Sequence, residues 1–152
     1  MTGGGFEPVC ERNEGADPFY RAVRERAFAD AIPISGTFEL TCRCNFAEDA
    51  RAAGTVWLCV TGGEPLMHPE FETIWRGLTG MGFFITLQTN ASLIDERAAK
   101  LLEECPPVGV KATLYGASDE VYEAVCRVRD GFSKTDRGLR TLRKLGIPVQ
   151  LV

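Results

Sequence analysis

The sequence predicts an α/β protein built on a parallel sheet, and three observations carry that expectation. Five short runs rich in β-branched and aromatic residues recur at Thr37–Thr41, Val56–Thr61, Phe84–Thr89, Val108–Tyr115 and Pro148–Val152. Between most of them lie segments with apolar residues at helical spacing, and strands alternating with helices make βαβ units. The length sets the third limit: 152 residues suffice for one sizeable core, whereas a closed (β/α)₈ barrel takes about 250. What remains is an open partial (β/α) barrel, or a different parallel sheet, of about five strands with an N-terminal helix.

Taken in order, residues 1–16 are rich in glycine and charge and read as a loose leader. Asp17-Pro18 pairs an N-cap with proline at the first helical position and opens a charged helix ending near Asp30, which Ile32-Pro33-Ile34-Ser35-Gly36 breaks. Residues 1–31 are therefore taken as leader and helix, and 32–152 as the core domain. The first two strands start at Thr37 and Val56, closer than the roughly 30 residues of a βαβ unit. Residues 42–55 leave room only for a loop and one or two helical turns. Further helices are expected at His68–Gly80, with Phe71, Ile74, Trp75 and Leu78 on one face, and at Asp95–Glu104, with Ala98, Leu101 and Leu102. Two more follow, at Asp119–Val128 and Thr135–Leu145.

Lysine and arginine number 17 against 21 acidic residues, a net charge of −4, which is the wrong sign for binding phosphate backbones by bulk charge. Nucleic acid is not an expected partner. No apolar run approaches the ~20 residues of a membrane span, and the first ten residues lack a signal-peptide pattern, so no membrane partner and a cytoplasmic location are expected. In that compartment the six cysteines, Cys10, Cys42, Cys44, Cys59, Cys105 and Cys126, read as metal ligands or buried thiols before disulfides. Neither common phosphate-loop motif occurs.

Thr61-Gly62-Gly63-Glu64-Pro65 falls at the carboxyl end of the most apolar strand, where parallel α/β folds bind ligands. Paired glycines let a backbone pass close to a bound group, and Glu64 can accept hydrogen bonds from an ammonium. The same residues also make a plain turn before a helix.

An ordered set of motifs weighs against the plain turn. Ser35-Gly36-Thr37-Phe38-Glu39-Leu40-Thr41, Arg43-Cys44-Asn45-Phe46, Thr61-Gly62-Gly63-Glu64-Pro65-Leu66 with His68-Pro69-Glu70-Phe71, Leu87-Gln88-Thr89-Asn90 and Thr113-Leu114-Tyr115-Gly116-Ala117-Ser118 follow one another along the chain. Together they resemble the radical S-adenosylmethionine (radical SAM) superfamily from about Ile32 onward, most closely its members that act on peptides or proteins. The resemblance implies an incomplete radical SAM barrel and two cofactors, SAM and a [4Fe-4S] cluster held by cysteines spaced C-x₃-C-x₂-C. It also implies an electron donor and reductive cleavage of SAM to start radical chemistry on a peptide or protein. By resemblance, Cys44 is the first cluster ligand, Gly62, Gly63 and Glu64 hold the methionyl ammonium, and Thr89 and Asn90 border the SAM site.

Counted from Cys44, the second and third ligands fall on Glu48 and Arg51. Arginine cannot ligate iron, and a carboxylate is a hard donor. Glu48 to Gly54 reads like the end of the family's first helix, joined directly to the cluster loop. The second reading is therefore a non-catalytic remnant or gene fragment unable to bind the cluster. Cys42 is too close to Cys44 for a zinc knuckle, and Cys59, Cys105 and Cys126 read as buried or incidental thiols. His68 reads as a helix-start residue, and Arg127, Arg129 and Asp130 as a solvated face. Ala91 stands where the family often has glycine. An open sheet would leave its first and fifth strands unpaired, inviting self-association through those edges.

Overall fold

The computed structural model describes residues 18–40 and 46–152. The leader, the Asp17 cap, Cys10, Cys42 and Cys44 lie outside the described residues. The chain divides into two compact units, one ending at Ala31 and one running from Ile32 to Val152.

In the first unit, helix α1 (Pro18–Ala29) begins on the proline, whose fixed φ suits the first helical position and whose missing N–H costs no bond there. An Arg26–Asp30 ion pair one turn apart follows its last turn, and Ala31 at φ +55° turns the chain out of the helix.

The second unit is a five-stranded parallel sheet of β1 (Ser35–Glu39), β2 (Trp57–Thr61), β3 (Phe84–Thr89), β4 (Gly109–Ala112) and β5 (Val149–Leu151), ordered β1-β2-β3-β4-β5. Strand order equal to chain order, with no reversal, makes every crossover step the same way, and the uniform handedness of such crossovers places the helices on a single face. Burial alternates along the strands accordingly. Leu58 and Val60 of β2, Ile85 and Leu87 of β3, and Val110 and Ala112 of β4 are buried in one core with Phe71, Trp75, Leu78, Leu101, Leu102 and Leu142 from the helices. The opposite face carries Thr37, Cys59, Thr86, Gln88 and Lys111, half-buried or exposed.

The helices are α2 (Phe46–Ala52), α3 (Phe71–Gly80), α4 (Glu96–Glu104), α5 (Asp119–Cys126) and α6 (Gly131–Lys144). The Asp95 carboxylate caps α4 by accepting from Ala98 N at 2.8 Å, and Ser118 caps α5 by accepting from Val121 N at 3.4 Å. Trp75, 1% exposed, donates its indole N–H to the Cys105 carbonyl at 2.9 Å. That bond ties α3 to the end of α4 and satisfies the one polar atom of a buried aromatic.

The α/β class and the five-stranded parallel sheet agree with the sequence expectation, while several boundaries differ. Strand β1 begins at Ser35, inside the segment read as a break, because Ser35 and Gly36 pair with Trp57 and Leu58 and a ladder partner overrides turn propensity. The helix expected from His68 begins at Phe71. Pro65–Met67 forms a 3₁₀ turn first, and His68 closes it in an extended conformation. Strand β4 is shorter than Val108–Tyr115, and α6 starts at Gly131, four residues before the expected Thr135. Helix α5 ends at Cys126 instead of Val128, with Arg127 left-handed at φ +57°. Between the first two strands, α2 supplies seven helical residues, as the short interval allowed.

Candidate functional site at the carboxyl ends of the strands

Strand β2 delivers Thr61 to the carboxyl edge of the sheet, and the chain leaves it through Gly62 at φ +108° and Gly63 at φ +34°. A Cβ on Gly62 would lie 2.8 Å from Leu40 N, so glycine is required there both by dihedral and by space. Gly63 has no heavy atom within 4 Å of that position, leaving its backbone open to a ligand.

Glu64 is held by the end of β3. Its Oε1 accepts from Thr89 Oγ1 at 2.6 Å and from Leu66 N at 3.2 Å, and its Oε2 accepts from Asn90 N at 2.8 Å. A carboxylate has about four acceptor directions, so one, on Oε2, is left for a guest. Thr89, 3% exposed, accepts from Ala91 N at 3.0 Å while donating to Glu64. A hydroxyl that accepts as it donates polarises the bond it gives, which strengthens the clamp.

The loop beyond is fixed from two sides. Asn90 Oδ1 accepts from Ser92 N at 2.9 Å and Ser92 Oγ at 2.6 Å, and the Asn90 carbonyl accepts from Thr135 Oγ1 of α6 at 3.2 Å. Ala91 is fully buried at φ +60°, so the left-handed turn persists with alanine in place of glycine. Its carbonyl lies against Gly138, where a Cβ would come within 2.0 Å of Ala91 O.

Of the residues singled out in the sequence, Gly62, Gly63, Glu64 and Asn90 come together here, with Thr89 as the link between strands. His68 sits beside the loop with Nδ1 accepting from Glu70 N at 3.1 Å. Cys105 caps α4. Burial pushes the Cys59 thiol up from its ordinary range, and the Lys111 charge pulls it partly back. Thr135 and Gly138 escaped the sequence reading, since nothing in α6 marks a residue that supports a loop on β3. Lys111 did carry a signal: it is the lone charge in the Val108–Tyr115 run.

The family model described as the radical SAM superfamily matches residues 45–152. The chain belongs to the radical SAM superfamily. It is 27% identical over 107 residues to an AdoMet-dependent heme synthase of Methanosarcina barkeri, covering 70% of this chain and 31% of that protein. It is 28% identical over 105 residues to a probable GTP 3′,8-cyclase of Pyrobaculum aerophilum, covering 66% of this chain and 33% of that one. The chain thus spans about a third of the length of the curated relatives it matches. Among solved structures, Streptococcus suis SuiB bound to S-adenosylmethionine superposes with a TM-score of 0.60 at 15% identity, over 95% of this chain and 40% of that one. SuiB bound to its precursor peptide SuiA gives 0.61 at 14% identity, over 96% and 40%. These likenesses show the radical SAM fold.

The family implies SAM and a [4Fe-4S] cluster, and the residues fit the two unequally. An ammonium fits the remaining acceptor direction of Glu64, and the open backbone at Gly63 admits a ligand beside it. The cluster ligands do not fit. Glu48 is exposed on α2, and Arg51 donates to the carbonyls of Met81 at 3.1 Å and Thr55 at 3.4 Å, with its guanidinium over the Phe83 ring. Those partners precede β3 and β2, at the amino end of the sheet, opposite Glu64. The residue three places before Arg51 and Arg51 itself therefore belong to a helix that runs away from the site, as expected if α2 is the end of the family's first helix. Among the described residues no group of three His, Cys, Asp or Glu could hold a metal ion. No helix among them is long and apolar enough to cross a membrane.

Proposed function

We propose that this chain retains the SAM-binding part of the radical SAM fold and, as it stands, does not cleave SAM. The observation that carries the reading is the Glu64 carboxylate, pinned by Thr89 and Asn90 with one acceptor direction left. Glu64 takes the methionyl ammonium, the Gly62-Gly63 backbone lets the ligand approach, and the buried Thr89-Ala91 turn keeps Glu64 from rotating away. A bound cluster would supply the electron for reductive cleavage, and one thiolate at Cys44 with Glu48 and Arg51 following it is not a ligand set for one.

Isothermal titration of the whole chain with SAM tests the binding. Saturable binding is expected, weakened about tenfold or more in Glu64→Gln, whose amide presents a donor where Thr89 or Asn90 already donates. Anaerobic reconstitution with iron and sulfide, followed by electron paramagnetic resonance, tests the second half. A stable reducible [4Fe-4S] signal would overturn it and favour the other reading, an enzyme starting radical chemistry on a peptide or protein. That reading has its support in the family itself and in the likeness to SuiB, a structure of which holds a precursor peptide.

A further inference from the structure

Helix α5 is apolar on two faces, and the core accounts for only one of them. Its inner face is Tyr122, 4% exposed, whose ring meets those of Tyr115 at 5.8 Å and Phe132 at 6.2 Å. Its outer face is Val121, Ala124 and Val125, at the i, i+3 and i+4 spacing that sets side chains on one stripe. All three are exposed, Val125 at 61%, and Val128, just past the left-handed Arg127, is 44% exposed as well. Valine on a solvated helix face loses helix propensity and buries nothing, whereas an apolar patch rimmed by polar residues marks a contact surface. Charge is divided along the same stripe. Glu120 and Glu123 stand toward its amino end and Arg127 and Arg129 at its carboxyl end, all four exposed. Arg129 lies 3.5 Å from Glu123 of its own chain, with side chains 87% and 59% exposed, a pair too solvated to hold either group in place.

We propose that the outer face of α5 is a self-complementary contact through which two copies of this chain pair, antiparallel, about a two-fold axis near Ala124. The charges choose the occupant and its direction. A second copy laid antiparallel brings Glu120 and Glu123 of each chain to Arg127 and Arg129 of the other, while a parallel copy sets like charges together. Such complementarity fixes register more than it adds affinity. The affinity comes from the valines, which cover one another, and the small side chain at the axis lets the two helices approach closely. A helix of eight residues supplies less than the roughly 1,200 Å² of a standard complex, so the pair is weak and reversible. The contact uses neither the Glu64 site nor an edge of the sheet.

Sedimentation velocity over a concentration series tests the contact on the full chain, with Leu151→Lys present throughout so that the β5 edge adds nothing. A monomer–dimer equilibrium is expected, weakened about tenfold or more by Val125→Glu. Because that side chain lies at the surface, the dilute monomer melts as its parent does. Glu120→Lys with Glu123→Lys makes the stripe wholly basic, and Arg127→Glu with Arg129→Glu makes it wholly acidic. Each double variant alone sets like charges across the axis and pairs about tenfold more weakly. Mixed in equal amounts the two pair again, since each supplies the charge the other has lost. The inference is overturned if the Leu151→Lys chain is monomeric at every concentration, or if Val125→Glu dimerises as well as its parent. It is also overturned if the mixture pairs no better than its separate components. Should a charge variant not fold, by its melting curve, Val125→Glu and Val125→Lys decide the matter, since a charge of either sign at that position must weaken the pair.

Discussion

At the scale of single residues, the Gly62-Gly63 pair is a division of labour. Gly62 is needed by the fold, since its φ is +108° and the space for a side chain is already filled by Leu40. Gly63, at φ +34° with open space around it, is free for the ligand. Gly62→Ala should therefore cost about 2–4 kcal/mol in stability and Gly63→Ala only about 1 kcal/mol. Chemical denaturation checks the order, and equal costs would mean that the turn is not built as described. The turn at Gly62-Gly63 was legible from residue types, whereas a role for Glu64 beyond the turn came only from the ordered motifs of the family resemblance. The clamp was not: whether Thr89 aims at Glu64 depends on β2 and β3 being in register, which no local pattern states.

At the scale of elements, α6 acts on the site through one close approach. Alanine at Gly138 would improve helix propensity by about 1 kcal/mol, but its Cβ would fall 2.0 Å from the Ala91 carbonyl. The clash wins, and Gly138→Ala should lose about 1–3 kcal/mol and weaken SAM binding, read by thermal melting and titration together. A variant that melts higher would show that α6 can move aside. The start of the same helix is pinned by Asp119 of α5, whose carboxylate accepts from the backbone N and the hydroxyl of Ser133. The hydroxyl and amide of Ser133 hold that carboxyl below its ordinary value of 3.8. A lowered folded-state pKa contributes stability that is present above the ordinary value and lost as pH falls through the folded one. Acid titration of melting temperature should therefore show a loss below the usual aspartate range that Asp119→Asn lacks; identical curves would remove Asp119 from the account. The early start of α6 was hidden from the sequence because Asp130 enters left-handed at φ +56° and Gly131 opens the helix, residues that by propensity end structure and do not begin it.

At the scale of the molecule, the fold class was legible in the sequence. Strand and helix periods required only that the chain alternate, and five runs of β-branched residues sufficed to fix that. Boundaries moved because ladder partners and tertiary contacts, absent from any local window, decide where an element stops. The sheet has β1 and β5 as its edges, and beside β5 a groove of about 470 Å³ is lined by Leu139, Ile147, Val149 and Leu151 among others. An apolar edge of this kind predicts concentration-dependent association. Sedimentation velocity should find species larger than one chain, reduced by Leu151→Lys, and a monomer at all concentrations would reject the edge as the cause. The unreversed strand order has a further consequence. A sheet whose order doubles back has a fixed centre, and removing a strand there strands its neighbours on opposite sides. A ladder laid down in one direction has no centre, so a strand and its helix can be gained or lost at either margin without rerouting any connection. The fold's natural unit of evolutionary change is then the single repeat of strand and helix, and the Glu64 clamp, which needs only two adjacent strands and one supporting helix, travels intact through such changes.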